Sequence, residues 1–320
     1  MEIVDSRSIR DFQTTTFTGH PRAHVVKSLL KAIELGHADY ACYWTLELLC
    51  SGLVHTIWNT FFIGAALHVN RGAPNVFPFL AAAFETYMPI ESKYTMDDIL
   101  TIRNHPDVRR MICRAAATIA SCRKFKLPSL PTIKPGHDFQ PVTIQENLRA
   151  PSAIFGKDVL RPKDPYSIAV AVNEFCYSLK ADVRDMSRAL YWMSWMLAIA
   201  KETKKATKEG FLCDMRPNEY VSHTHSNDLV WLLWECVHKH AAQSRPFIDT
   251  LFKMYCLRWS PSNRSERRPL IVCAITLVCD APTLDTTPVH GQTLQVEGLL
   301  NQVPQWLDAI QRTRQTFSSQ

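Results

Sequence analysis

Glycine is scarce in this sequence, at 10 of 320 residues. None of it builds the G-x-x-x-x-G-K-[ST] loop whose amides and lysine cradle phosphates. The nearest segment, Gly156-Lys157-Asp158, lacks the first glycine and the hydroxyl. ATP hydrolysis on a glycine-rich loop is therefore not expected. No G-x-S-x-G elbow places a nucleophile, and no two cysteines form a C-x-x-C pair. Long hydrophobic runs are missing too. Ala189 to Ala200 and Leu270 to Cys279 fall short of the roughly 18–20 residues that span a bilayer. Leu53 to Val69 is interrupted by His55, Asn59 and His68, so no membrane span is expected. Met1 to Thr14 has no apolar centre and does not read as a signal peptide.

What is present excludes disorder. Hydrophobic residues make up 46% of the chain and charged residues 21%, enough to bury a substantial core. Most of the ten cysteines sit inside apolar runs such as Leu270 to Cys279. They read as buried, reduced thiols of a cytosolic or nuclear protein. Net charge is +6, which permits contact with nucleic acid or an acidic partner without requiring it.

Helical periodicity dominates, and alternating strand patterns are nearly absent. Val25, Val26, Leu29, Leu30, Ile33 and Leu35 repeat at three- and four-residue spacing and stop at Gly36. Asp39 is placed to cap the next helix, which runs to Gly52. Further helices are expected over Val54 to Leu67, over Phe77 to Tyr87 and within Met96 to Ser121.

The same words then return in the same order. Tyr43-Trp44 recurs as Tyr191-Trp192, and Ile57-Trp58 matches Val230-Trp231. Pro78-Phe79, Phe84 and Tyr87 match Pro246-Phe247, Phe252 and Tyr255 at one shared offset. Arg109-Arg110 matches Arg267-Arg268, each ahead of an apolar helix. The expected fold is all-α: two tandem copies of a helical domain joined by a Pro-rich linker. Residues 1–19 read as an N-terminal arm, 20–125 as the first repeat and 126–164 as the linker. Residues 165–280 read as the second repeat. Residues 281–320 read as a C-terminal tail with a short amphipathic helix around Leu299 to Ile310.

No residue set demands a particular chemistry, and neither a catalytic residue nor a cofactor is expected. His223, His225, His238, His240, Cys213 and Cys236 could supply zinc ligands on paper. But i and i+2 positions diverge on a helix, so they read as ordinary histidines and thiols. Asp97-Asp98 reads as the acidic first turn of a helix. The tryptophans Trp44, Trp58, Trp192, Trp195, Trp231 and Trp234 read as core. The basic residues are left. Lys201, Lys204, Lys205 and Lys208 share one insertion, and Arg258, Arg264, Arg267 and Arg268 precede the last helix of the second copy. In the first copy, Arg109, Arg110, Arg114, Arg123, Lys124 and Lys126 form a third set. Of these, Arg109, Arg110, Lys201, Lys204, Lys205, Arg258, Arg264, Arg267 and Arg268 are the candidate nucleic-acid contacts.

The words Val26 to Gly36 and Asp39 to Gly52, followed by Trp58 and Pro78-Phe79, resemble a conserved uncharacterised protein family of nucleocytoplasmic large DNA viruses. The resemblance extends over about residues 17 to 280 and includes the Arg109-Arg110 helix and Asp164-Pro165. A weaker similarity, through Ala41-Cys42-Tyr43-Trp44, is to the helical C-terminal oligomerisation region of clamp-loader-like ATPases. The resemblance implies a non-catalytic viral scaffold or interaction protein acting in genome replication, packaging or virion assembly. Alternatives are a direct nucleic-acid binder and a minor virion structural protein. Implied partners are viral or host proteins, nucleic acid and a second copy of the chain. The implied location is a cytoplasmic viral factory or the virion, with the host nucleus as the alternative.

Overall fold

The computed structural model describes residues 2–95, 98–208, 210–285, 287–291 and 293–318, with side chains through residue 314. The chain is 64% helical, and no strand occurs among the described residues beyond isolated bridges such as Thr15 to Pro21. In chain order the helices are α1 (Arg22–Leu35), α2 (Ala38–Cys50), α3 (Val54–His68), α4 (Val76–Glu91), α5 (Pro106–Ser121), α6 (Pro135–Asp138) and α7 (Pro141–Asn147). They continue with α8 (Ala169–Leu179), α9 (Met186–Thr207), α10 (Leu229–Lys239), α11 (Arg245–Cys256), α12 (Arg264–Cys279), α13 (Leu294–Leu300) and α14 (Val303–Ser318). They fall into two compact units. Unit 1 is Met1–Lys126 with Asp285–Gln320, and unit 2 is Leu127–Leu284.

In unit 1, α1 buries Val25, Leu29, Ala32 and Ile33 on one face. It stops at Gly36, whose φ of +77° suits a residue without Cβ. Its amide closes the helix on the carbonyls of Ala32 and Ile33. The helix that follows begins two residues earlier than its sequence suggests. His37 is the N-cap, and Asp39 lies inside the first turn, where its charge favours the positive end of the helix. Helix α5 starts on Pro106, where a missing N–H costs nothing, and buries Ala115, Ala116 and Ala117. These small side chains let α2 approach closely: the Cys42 thiol donates to the Cys113 carbonyl at 3.4 Å. Helix α1 packs on α2, α3 and α5, and α4 packs on α3 and α5. Trp58, fully buried, meets Phe84 edge-on at 5.3 Å and 71°.

The arm and the tail are part of this unit. Ile3, Phe12 and Phe17 are buried, the Phe17 amide donates to the Ser51 hydroxyl, and the Thr18 amide and hydroxyl donate to the buried Glu47 carboxylate. The one amphipathic helix expected in the tail is two, α13 and α14. Val296, Leu300, Val303, Leu307 and Ile310 are buried, with α13 against α5 and α14 against α2 and α5. Of the expected Asp97-Asp98 pair, Asp97 lies outside the described residues. Asp98 precedes a 3-10 helix, Ile99–Asn104, and not α5 itself.

In unit 2, α9 is capped by the Asp185 carboxylate, which accepts from the Arg188 amide, and it buries Trp192 and Trp195. Helix α8 packs on α9, α10 and α12, and α11 packs on α10 and α12. The segment read as a linker is folded within this unit. The Trp195 indole N–H donates to the Asp138 carbonyl at the end of α6. The amides of Arg149 and Ala150 donate to the buried Glu174 carboxylate. Gly156 lies so close to Asn173 that a Cβ would sit 3.1 Å from its backbone nitrogen. Prolines block long helices here, but the backbone groups they leave open are taken up by α8 and α9.

Two tryptophans of unit 2 share the neighbourhood expected for Trp231 alone. Both Trp231 and Trp234 meet Phe252 edge-on, at 6.2 Å and 84° and at 5.3 Å and 70°, and the Trp234 contact is the nearer in geometry to that of Trp58 with Phe84. Trp231 also packs against Trp259 at 5.0 Å, and its indole N–H donates to the His225 carbonyl. Trp44 is only half-buried, lying against His20 and His24.

Candidate functional site

The basic residues separate into those engaged inside the protein and those that face a cleft. Arg109 is 8% exposed, and its Nε donates to the Arg103 carbonyl while Nη2 donates to the Asn104 side chain. Arg267 is 5% exposed and donates to the carbonyls of Met254 and Tyr255, near the C-terminus of α11. Carbonyls at a helix end have no partner within the helix, so a guanidinium is well suited to them. Burial pushes both arginines below their ordinary pKa. Neither can reach a phosphate backbone, and both leave the candidate set.

Arg110 is exposed, but it pairs with Glu297 on α13, and Arg114 reaches the same carboxylate at 2.8 Å. The Lys124 ammonium donates to the Ile119 and Ala120 carbonyls at the end of α5, and burial lowers its pKa to about 8. Lys205 pairs with Glu202 one turn back. Arg258 is exposed with φ of +50°, a left-handed residue just after α11. It lines neither of the two cavities that the other cations border.

The other four candidates converge. The last turns of α9 carry Lys201 and Lys204, and the first turns of α12 carry Arg264 and Arg268. Two cavities open between them. The smaller, about 220 Å³, is lined by Lys201, Arg264, Ser265 and Arg268 over an apolar floor that includes Leu197, Leu233 and Ile271. The larger, about 390 Å³, shares Lys201 and Arg264 and adds Lys204, Phe211, His225, Asn227 and Trp259. Spacing explains the placement. Lys201 and Lys204 are i and i+3 on one helix, and Arg264 and Arg268 are i and i+4 on another, so each pair shares a face. Arg267, about 100° around the helix from Arg268, faces the core.

Arg264 is half-buried and tied to Asp228, the N-cap of α10, with Nη1 at 3.1 and 2.9 Å from the two carboxylate oxygens. It acts as a fixed wall. Lys201, Lys204 and Arg268 are exposed, and among the described residues they pair with no carboxylate. The Asp228 carboxylate also lines the larger cavity and offsets part of its charge, whereas among the described residues no carboxylate lines the smaller one. Cations beside such a recess attract anions more strongly than cations on an open, fully hydrated surface. The first turn of α12 adds its own preference for negative charge.

The aromatic and amide residues of this cleft, Phe211, His225, Asn227 and Trp259, carry no sequence signal. Each lies in a connection, and only the fold brings it to the cations. His223 and His225 form a 3-10 turn, and His238 packs on Phe252 and faces Asp249. No group of three or more potential metal ligands occurs among the described residues, and no described helix is long and apolar enough to cross a membrane.

No protein-family model, curated protein or solved structure matches the chain.

Proposed function

We propose that the chain is a non-catalytic helical interaction protein that contacts nucleic acid through the α9–α12 cleft of unit 2. The observation that carries this reading is the convergence of Lys201, Lys204, Arg264 and Arg268 from two helices onto adjoining cavities. Phosphate binding needs several cations on one face, and three of these four are free to meet a phosphate.

In this reading the two units are copies of one helical domain. Helices α1 to α5 and α8 to α12 pack in the same pairs within their respective units, and the Trp58–Phe84 and Trp234–Phe252 contacts match in distance and angle. The copies have diverged where the function lies. If Tyr43-Trp44 and Tyr191-Trp192 are equivalent, α9 extends well beyond the end of α2, and Lys201 and Lys204 lie on that extension. In unit 1 the exposed arginine of α5 is matched by Glu297. At this position one copy keeps an open cation, Arg268, and the other pairs its arginine, Arg110, with Glu297. What supports a role in genome replication, packaging or virion assembly, in the viral factory or the particle, is the resemblance of the chain's sequence words to a family of large DNA viruses. It is the basis for the non-catalytic assignment too.

The test is binding of the full chain to a mixed pool of single- and double-stranded DNA across a salt series. Affinity should fall linearly on a log–log plot, with a slope of roughly 0.7 to 0.9 per phosphate contacted. Lys201→Glu combined with Arg268→Glu should lower both affinity and slope. Binding that ignores salt, or that the double variant leaves intact, overturns the reading.

A further inference from the structure

The geometry points to an unpaired nucleic-acid strand as the ligand of the α9–α12 cleft, with a phosphate in the smaller cavity and the adjoining base in the larger. This rests on the reading of unit 2 as a nucleic-acid-binding unit and names the form it takes.

The smaller cavity suits one tetrahedral anion. Lys201 reaches it from α9, and Arg264 and Arg268 reach it from α12. The Ser265 hydroxyl adds a neutral donor. The floor of Leu197, Leu233 and Ile271 lowers the local dielectric, so each charge acts more strongly than it would in bulk water.

The larger cavity has a different chemistry. Phe211, His225 and Trp259 give it aromatic walls, and Asn227 and Thr224 bring the amide and hydroxyl that base edges pair with. Its volume of about 390 Å³ lies in the range of roughly 300–1,000 Å³ typical of small-molecule sites. Lys201 and Arg264 belong to both cavities, so one occupant can extend from one to the other without leaving the cations. A phosphate recess joined to an aromatic recess is the plan of a nucleotide unit.

A duplex cannot use this plan. Its bases are stacked within the helix, and reaching one costs unpairing and unstacking. It presents phosphates on a convex surface, where an open basic patch would serve better than recesses with aromatic walls. An unpaired strand has bases free to turn into such a pocket, and aromatic stacking holds them with little regard to sequence.

The experiment uses the full chain and fluorescence anisotropy at one fixed salt concentration. The probes are an oligothymidylate strand, a duplex of equal length and thymidine monophosphate as competitor. The strand should bind at least about ten-fold tighter than the duplex and the mononucleotide. Phe211→Ala should weaken the strand at least about three-fold and leave the duplex unchanged. Lys201→Glu with Arg268→Glu should weaken both. Each variant is used only if its melting temperature matches the wild type, and Phe211→Leu replaces the alanine variant if that one melts early. Equal affinity for strand and duplex overturns the unpaired-strand assignment while leaving nucleic-acid binding in place. Equal affinity for the mononucleotide makes the ligand a free nucleotide and overturns it too. Strand binding that ignores Phe211 removes the base from the larger cavity, and absence of any binding overturns both readings.

Discussion

The Arg216 guanidinium holds the Asp164 carboxylate with two nitrogens, Nη1 to Oδ1 at 2.8 Å and Nη2 to Oδ2 at 2.7 Å. Both side chains are buried, at 5% and 1% exposure. Asp164 also accepts from the amides of Arg161 and Asp214. Arg216 also donates to Glu235 and to the Val159 carbonyl. The pair therefore ties the segment entering α8 to the loop after α9. Asp164→Asn removes the bidentate partner and leaves the guanidinium with the Glu235 carboxylate. The cost should be substantial but below the about 3–5 kcal/mol of a buried charge left with no partner. Urea denaturation should show unit 2 unfolding earlier, with unit 1 little changed.

The same pair sets an acid limit. Burial alone would raise the Asp164 pKa, but the hydrogen bonds from Arg216 and from the two amides outweigh it and hold the group below its ordinary value. A carboxyl with a lower pKa folded than unfolded stabilises the fold above its unfolded pKa, about 3.9. That contribution is lost as the pH falls through the folded pKa. The melting temperature of unit 2 should drop as the pH is lowered below about 4. In Asp164→Asn this part of the pH dependence should vanish, as differential scanning calorimetry at a series of pH values would show.

Arg267 and Arg268 should respond to reversal in opposite ways. Arg267→Glu places a carboxylate against the Met254 and Tyr255 carbonyls, with no donor to meet it, and should unfold unit 2. Arg268→Glu changes an exposed cation and should leave the melt within about 0.5 kcal/mol of wild type. It should still weaken nucleic-acid binding. Circular dichroism melts and anisotropy on the same two proteins separate the effects.

Two tryptophans that look equivalent in the sequence should differ as well. Trp192 has no exposed surface, and Trp192→Ala should cost about 3–5 kcal/mol through lost burial and the cavity left behind. Trp44 keeps part of its surface in solvent against His20 and His24, so Trp44→Ala should cost clearly less. Chemical denaturation of each variant gives the comparison.

Glu297→Ala removes the shared partner of Arg110 and Arg114. Amides of α13 should then exchange with solvent faster, while those of α2 and α5 stay protected. It should also leave two arginines of unit 1 without their carboxylate, and weak salt-sensitive binding of nucleic acid by unit 1 should emerge.

The helical class was legible because burial repeats at helical spacing, as at Val25, Leu29 and Ile33, and because Gly36 and Pro106 mark ends with a plain steric cause. Asp39 misled, since a carboxylate suits both an N-cap and a first turn. The folding-in of residues 127–164 was hidden because proline forbids a long helix without saying what the segment packs on. For the site, charge alone could not separate Arg267 from Arg268. Adjacent helical residues point about 100° apart, and only the position of the core decides which is buried. The cleft itself joins side chains distant in sequence, and Phe211 and Trp259 have neighbours in the sequence that are no guide to what they face.

Unit 1 is written in two pieces, with all of unit 2 between them. A ribosome therefore joins every residue of unit 2 before it makes α13 and α14, the helices that cover α2 and α5. The usual order of synthesis, in which the first domain finishes first, is reversed for this chain. The α9–α12 cleft can be complete on a nascent chain whose first unit still exposes an apolar face, and α13 and α14, translated after unit 2, are the helices that close it.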